Sequence, residues 1–222
     1  MKPFYQDPAV TIYHGDCREI LPTLGGFDLL LTDPPYGMNY DPKRVRRINR
    51  QSRGLRLTDR HWHRIEGEDK PFDPSMFLSF SKVILWGANH FADKLPPSKG
   101  WLIWDKRDGV ASDNQSDCEL AWCNFGGKAR IHRQLWRGIA RAGEENIARS
   151  GEKLHPHQKP IALIKWCISL AGEITTILDP FAGSGTTGRA AKDFGKKAVL
   201  IECDEHYCEI AARRLQQEVL AI

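Results

Sequence analysis

Asp33, Pro34, Pro35 and Tyr36 close an apolar run in the stretch DLLLTDPPYGMNYD at residues 28–41. A residue before proline is driven to extended backbone, and the two prolines fix their own φ angles and donate no N–H. The product is a stiff corner with open carbonyl oxygens, a carboxylate at its base and a ring at its tip. An exocyclic amine that attacks an electrophile needs acceptors to hold its two N–H bonds and a flat surface to stack its base. Asp33, the Pro34 carbonyl and Tyr36 supply these in order. Taken alone, the same residues also make an ordinary proline stop after a strand.

A second group of residues, TTILDPFAGSGTTGRAA at 175–191, reads as strand, acid, glycine-rich turn and helix. Gly183 and Gly185 let the backbone turn sharply and approach a ligand, and the helix start that follows offers unpaired N–H groups. The lysine of a phosphate-binding GxxxxGK[ST] loop is missing, which disfavours a nucleoside triphosphate. Gly183, Gly185 and Gly188 stand at dinucleotide spacing, but Pro180 and Phe181 precede them. The next apolar run, KAVLIECD, ends on Glu202, nineteen residues after Gly183. A carboxylate there accepts hydrogen bonds from ribose hydroxyls, so a nucleoside-containing ligand is expected.

These residues need a frame that brings strand ends together. Seven short apolar runs recur, at 10–14, 27–32, 82–86, 101–105, 119–123, 175–179 and 197–202, rich in Val, Ile and Leu as strands buried on both faces should be. Helical patterns lie among them at 161–172, opened by Pro160 and ended by Gly172, and at 186–195 and 205–219. Strands alternating with helices predict an α/β fold with a doubly wound, mostly parallel sheet, in which ligands sit beyond the carboxyl ends of the strands. Residues 41–70 and 124–153 fit this scheme poorly and read as long insertions within one domain spanning 1–222.

Composition agrees with a globular chain: of 222 residues, 41% are hydrophobic and 27% charged. No apolar run approaches a membrane span, and the N-terminus carries no apolar signal region, so a cytosolic protein is expected. None of the six cysteines forms a CxxC or a zinc spacing, and no metal is implied. The net charge of +4 is unevenly spread: Lys43 to Arg64 carries nine Lys/Arg against one acid, leaving −4 for the rest. A mildly acidic body with one basic segment is the pattern of a local polyanion contact, or of a solvated surface loop.

DPPY at 33–36 followed by FAGSG at 181–185 resembles the amino-group DNA methyltransferases that use S-adenosyl-L-methionine, and the order of the two motifs resembles their β class. HPHQKP at 155–160 resembles the family's HPTQKP segment, with His157 where Thr is usual. GDC at 15–17, GANHF at 87–91 and WLIWDK at 101–106 resemble further family strand ends. The resemblance implies a Rossmann-like methyltransferase fold with seven strands. It makes Asp33, Pro34, Pro35 and Tyr36 the catalytic tetrapeptide holding a flipped base. Phe181, Gly183, Ser184, Gly185, Thr186 and Thr187 would wrap the methionine moiety, and Glu202 would bind ribose. Asp16 and the backbone of Cys17 would meet the adenine end, and Lys159 and Pro160 would line the pocket, with Asp33 and Asp179 also bordering the cofactor.

Within this family DPPY is more usual for adenine N6 and SPPY for cytosine N4, so adenine is expected. N4-cytosine methylation, or an inactive DNA-binding module of the same fold, is the alternative. Double-stranded DNA is the expected partner of a monomer or homodimer. Lys43, Arg44, Arg46, Arg47, Arg50 and Arg53 would neutralise phosphates, with His61, Trp62 and His63 near the extruded base. Arg130, Arg133, Arg137 and Arg141, among His132, Gln134 and Trp136, would belong to a target-recognition segment at 124–153. Deleting residues 43–56 should weaken DNA binding and flatten its salt dependence, by about 0.9 in log–log slope for each phosphate no longer neutralised. Binding titrations across salt concentrations test this, and an unchanged slope would return the segment to a solvated loop.

Overall fold

Leu29, Leu30 and Leu31, the run that leads into the DPPY corner, form β3 (Leu29–Thr32), and each of its residues is buried. The computed structural model describes residues 1–37, 67, 69–109, 116–137, 140–141, 154–155 and 157–216. The basic stretch with Lys43, Arg44, Arg46, Arg47, Arg50, Arg53, His61, Trp62 and His63 lies outside these residues, as do the side chains of Arg137 and Arg141. The other six apolar runs are also strands: β2 (Val10–His14), β4 (Val83–Trp86), β5 (Gly100–Asp105), β6 (Cys118–Cys123), β10 (Thr176–Asp179) and β11 (Lys197–Glu202).

Two edge strands, β1 (Tyr5–Gln6) and β7 (Arg130–Arg133), bring the expected seven to nine in the main sheet among the described residues. Both escape an apolar-run search for a physical reason. The first has two residues, and the second, RIHR, is mostly exposed and joined by its backbone to β5 alone. The segment after β7, expected as a loop, contains a small antiparallel pair of β8 (Trp136–Arg137) and β9 (Ala140–Arg141).

The sheet order is β1-β2-β11-β10-β3-β4-β6-β5-β7. From β2 to β4 neighbours are parallel, β6 runs antiparallel to both β4 and β5, and β7 is parallel to β5. The carboxyl ends of β2, β11, β10, β3, β4, β5 and β7 therefore share one edge. Because β6 is reversed, it delivers its first residues there, with Glu119 opposite Trp104.

Side chains alternate between the two faces, as the period-2 geometry of a strand demands. Leu29, Leu31, Ile84 and Trp86 pack beneath α2 (Ile161–Leu170), α3 (Thr186–Asp193) and α4 (Glu205–Gln216). Leu30, Val83 and Leu85 face Ile20 of the short α1 (Cys17–Ile20), with Phe77 and Phe91. No helix among the described residues is long and apolar enough to cross a membrane. α3 sits tightly on the sheet at Gly188, where an added Cβ would come within 2.8 Å of Leu200 Cδ1 and 3.2 Å of Val10 Cγ1. Gly188→Val should therefore destabilise the protein by about 1–3 kcal/mol through overpacking. Urea denaturation checks this, and an unchanged midpoint would mean that the contact relaxes freely.

Candidate active site

The end of β3 carries the DPPY corner. Thr32 Oγ1 donates to Asp179 Oδ1 at 2.6 Å, tying this strand end to that of β10. Asp33 Oδ2 receives the ammonium of Lys159, whereas Asp33 Oδ1 is buried without a hydrogen-bond partner among the described residues. The Tyr36 ring stacks on His90, with centroids 4.3 Å apart and planes 7° from parallel. A side chain at position 87 would collide with this ring: a Cβ on Gly87 would lie 2.3 Å from Tyr36 Cε1.

Lys159, expected as a wall of the cofactor pocket, does line the cleft, but its ammonium is held between two carboxylates. It pairs with Asp33 and, at 2.9 Å, with Glu119 Oε2, while Glu119 Oε1 accepts from Lys106 Nζ at 3.0 Å. Charges thus alternate through Asp33, Lys159, Glu119 and Lys106. Burial pulls the Lys159 ammonium down, but Asp33 and Glu119 together lift it above its ordinary value. Burial likewise opposes Glu119, yet Lys159 and Lys106 hold its carboxyl down at about 2. Burial raises Asp33, outweighing the attraction of Lys159, and the charge of Glu119 adds to the rise.

The glycine loop stands across the cleft. Gly183 and Gly185 adopt φ of 49° and 75°, and a Cβ on Gly185 would lie 2.9 Å from that of Ala211. Glu202 braces the loop: its Oε2 accepts from Gly183 N at 2.7 Å and its Oε1 from Asp204 N at 3.0 Å. A carboxylate offers about four lone-pair sites, so Glu202 keeps acceptor capacity on the cleft side. Arg214 of α4 supports the loop from behind, donating to Ser184 O at 3.2 Å and to Thr186 Oγ1 at 3.0 Å. Asp179 is 4% exposed and receives neutral donors, Thr32 and the Phe181 N–H among them. Burial pushes its carboxyl up to about 6.

These parts enclose about 820 Å³ of space open to solvent. Asp33, Pro34, Pro35, Tyr36, Lys159, Asp179, Phe181, Gly183, Ser184, Thr186, Thr187 and Glu202 line it. Gly185 turns the loop from just behind. Pro160 is buried and precedes α2 as its N-cap residue, so it shapes the wall without lining it. Asp16 and Cys17 lie beside the cleft, not on its wall. Asp16 caps α1 and pairs with Arg18, Cys17 is 7% exposed, and Gly15 N donates to Glu202 O at 2.9 Å. Arg130 and Arg133 stand exposed on β7.

Sequence reasoning missed Glu119, Lys106, His155 and Arg214. Glu119 had a signal, being the one charged residue in the apolar strand CELAWC. His155, whose ring carbons lie 3.4–3.5 Å from where a Gly183 Cβ would be, packs edge-on against Tyr207 at 4.4 Å. Nothing in the spacing of HPHQKP announces that contact.

The profile of the DNA methylase family matches residues 97–213, more than half of the chain. Type II methyltransferase M.HinfI of Haemophilus influenzae is 28% identical over 98% of this chain and 71% of its own length. M.ScaI of Streptomyces caespitosus is 28% identical over 100% and 86%. Among solved structures, the PvuII cytosine-N4-specific DNA methyltransferase shares the fold with TM-score 0.60 at 16% identity, over 99% of this chain and 91% of that one. The M1.HpyAVI–SAM complex does so with TM-score 0.55 at 22% identity, over 94% and 100%. A DPPY corner, a glycine loop at the neighbouring strand end and a family profile across both the cofactor loop and its flanking helices have one common reading: the chain belongs to the DNA methylase family, the amino-group methyltransferases that act on N6 of adenine or N4 of cytosine.

Proposed function

We propose that the protein methylates N6 of adenine in double-stranded DNA, in the cytoplasm, with S-adenosyl-L-methionine as donor. The observation that carries the proposal is Asp33 Oδ1, buried and without a hydrogen-bond partner among the described residues, in a cleft also lined by the glycine loop. A buried acceptor left without a donor costs about 1–3 kcal/mol, and an amine N–H entering the cleft removes that cost. Asp33 Oδ1 and the Pro34 carbonyl hold the two N–H bonds, which frees the nitrogen lone pair from ring conjugation, and Tyr36 supports the extruded base. No covalent bond to the protein is needed.

The residues present fit the cofactor. Asp179 is a buried carboxylate with neutral donors, suited to a cationic ligand group, and the glycine loop admits a ligand close to its backbone. When bound, the cofactor supplies an electrophilic methyl group on a sulfonium. Phe181, Gly183, Ser184, Gly185, Thr186 and Thr187 would hold its amino-acid end, Glu202 its ribose, and the Asp16–Cys17 turn, one strand over, its adenine. Arg130 and Arg133, with the basic segment of residues 43–64, would meet DNA, and 124–153 would read the target.

Asp33→Ala should lower methyl transfer at least about 100-fold while changing cofactor affinity far less. Labelled-methyl transfer to DNA and calorimetry measure the two, and digestion to nucleosides distinguishes N6-methyladenine from N4-methylcytosine. Recovery of N4-methylcytosine would replace the adenine assignment, and near-normal turnover of the variant would remove Asp33 from the chemistry.

Asp179 gives a second test. Its folded pKa of about 6 lies above the unfolded 3.8, so its favourable contribution is full below 3.8 and lost as pH rises through 6. At neutral pH the loss amounts to about 3 kcal/mol relative to acid pH, from 1.36 kcal/mol per unit. Asp179→Asn should flatten the stability decline between those pH values in the ligand-free protein and weaken cofactor binding at least tenfold. Denaturant titrations at several pH values check it, and a decline that persists in the variant would assign it to another group.

A further inference from the structure

Lys159 faces Asp33 on the end of β3 and Glu119 at the start of β6. Its side chain is 9% exposed, those of Asp33 and Glu119 19% and 24%. An ammonium paired with a single carboxylate in such a site takes most of that carboxylate's acceptor strength, because low polarity magnifies the attraction. Here the ammonium is divided between two, and Lys106 balances the second carboxylate from its far side. The sequence places these groups far apart, and only the reversed direction of β6 sets Glu119 at the active edge.

We propose that Glu119 is a positioning residue for methyl transfer: by sharing Lys159 with Asp33, it anchors Asp33 Oδ2 while leaving Oδ1 a strong acceptor for the substrate amine. This rests on the reading above, in which Asp33 receives that amine. Lys159 orients the carboxylate, Glu119 offsets the ammonium, and Lys106 fixes Glu119. Among the described residues, the other ionisable groups that feel or act on this cluster include Asp179 from β10, which feels the charge of Asp33, Tyr36 from the corner itself, which acts on Lys159, and Cys167 of α2, which feels Lys159.

The test uses the full chain with Glu119→Gln, which keeps the shape and removes the charge, and Lys106→Met, which removes the balancing cation. The Asp33 carboxyl is followed by carbon-13 NMR through the acid and neutral range, its resonance assigned by its disappearance in Asp33→Asn. With Glu119→Gln, Asp33 should titrate at lower pH than in the unaltered protein, and the acid limb of kcat should move the same way. kcat should fall about tenfold, less than loss of the acceptor itself, with KM for the cofactor unchanged. With Lys106→Met the Asp33 midpoint should move to higher pH, so opposite signs in the two variants distinguish charge sharing from loss of packing. Midpoints that stay in place, or move together, overturn the proposal even if both variants melt earlier. Absence of methyl transfer by the unaltered protein would overturn the proposed function instead, and the carboxyl titration would still decide whether Glu119 sets the charge on Asp33.

Discussion

Lys159 lies buried between carboxylates from two strands that are not neighbours in sequence, and each of these groups would be untenable there alone. The effective penalty for taking a charged side chain out of water is several kcal/mol, and it is recovered only where geometry and hydrogen bonding are good. Asp33 is drawn inside against Lys159, and Lys159 against a second acid, Glu119. The ends of β3 and β6 and the segment before α2 are thereby held to a common point. Packing of Leu29–Leu31 and Val83–Trp86 sets the sheet, but this shared ammonium decides where the corner's carboxylate points.

The opposite wall follows a different logic, built from backbone. Gly183 and Gly185 turn the chain where a side chain would strain it, and Glu202 and Arg214 hold the resulting loop from its two sides. Both braces come from later in the chain, from β11 and α4, so the loop's conformation in the folded protein depends on the strand and helix that follow it. The two walls are joined at their base by the Thr32–Asp179 hydrogen bond, which fixes the spacing between the acid of one motif and the acid of the other.

Much of this was legible in sequence because it rests on local rules. Seven apolar runs gave seven strands, and α2 ends where Gly172, at φ 67°, interrupts it. Strand ends were the right place to look for Asp33, Asp179 and Glu202, since a parallel sheet gathers them. The short edges were not legible: β1 is too brief for a pattern, and β7 exposes an isoleucine between polar residues. Nor was the partner of Lys159. Its link to Glu119 depends on β6 running against its neighbours, and sequence periodicity is blind to strand direction. Asp16 and Cys17 were recognisable as a turn, whereas their place beside the cleft depends on the pairing of β2 with β11.

The gathering of strand ends has a consequence for how such a chain diversifies. The stretches following β3, separating β5 from β6 and following β7 all depart from the same rim, while links at the other rim, such as residues 194–196 between α3 and β11, are short. Length and composition in the departing stretches are thus uncoupled from the register of the sheet. Exchange of those stretches beyond the DPPY corner would leave Asp33, Asp179 and Glu202 where the sheet sets them.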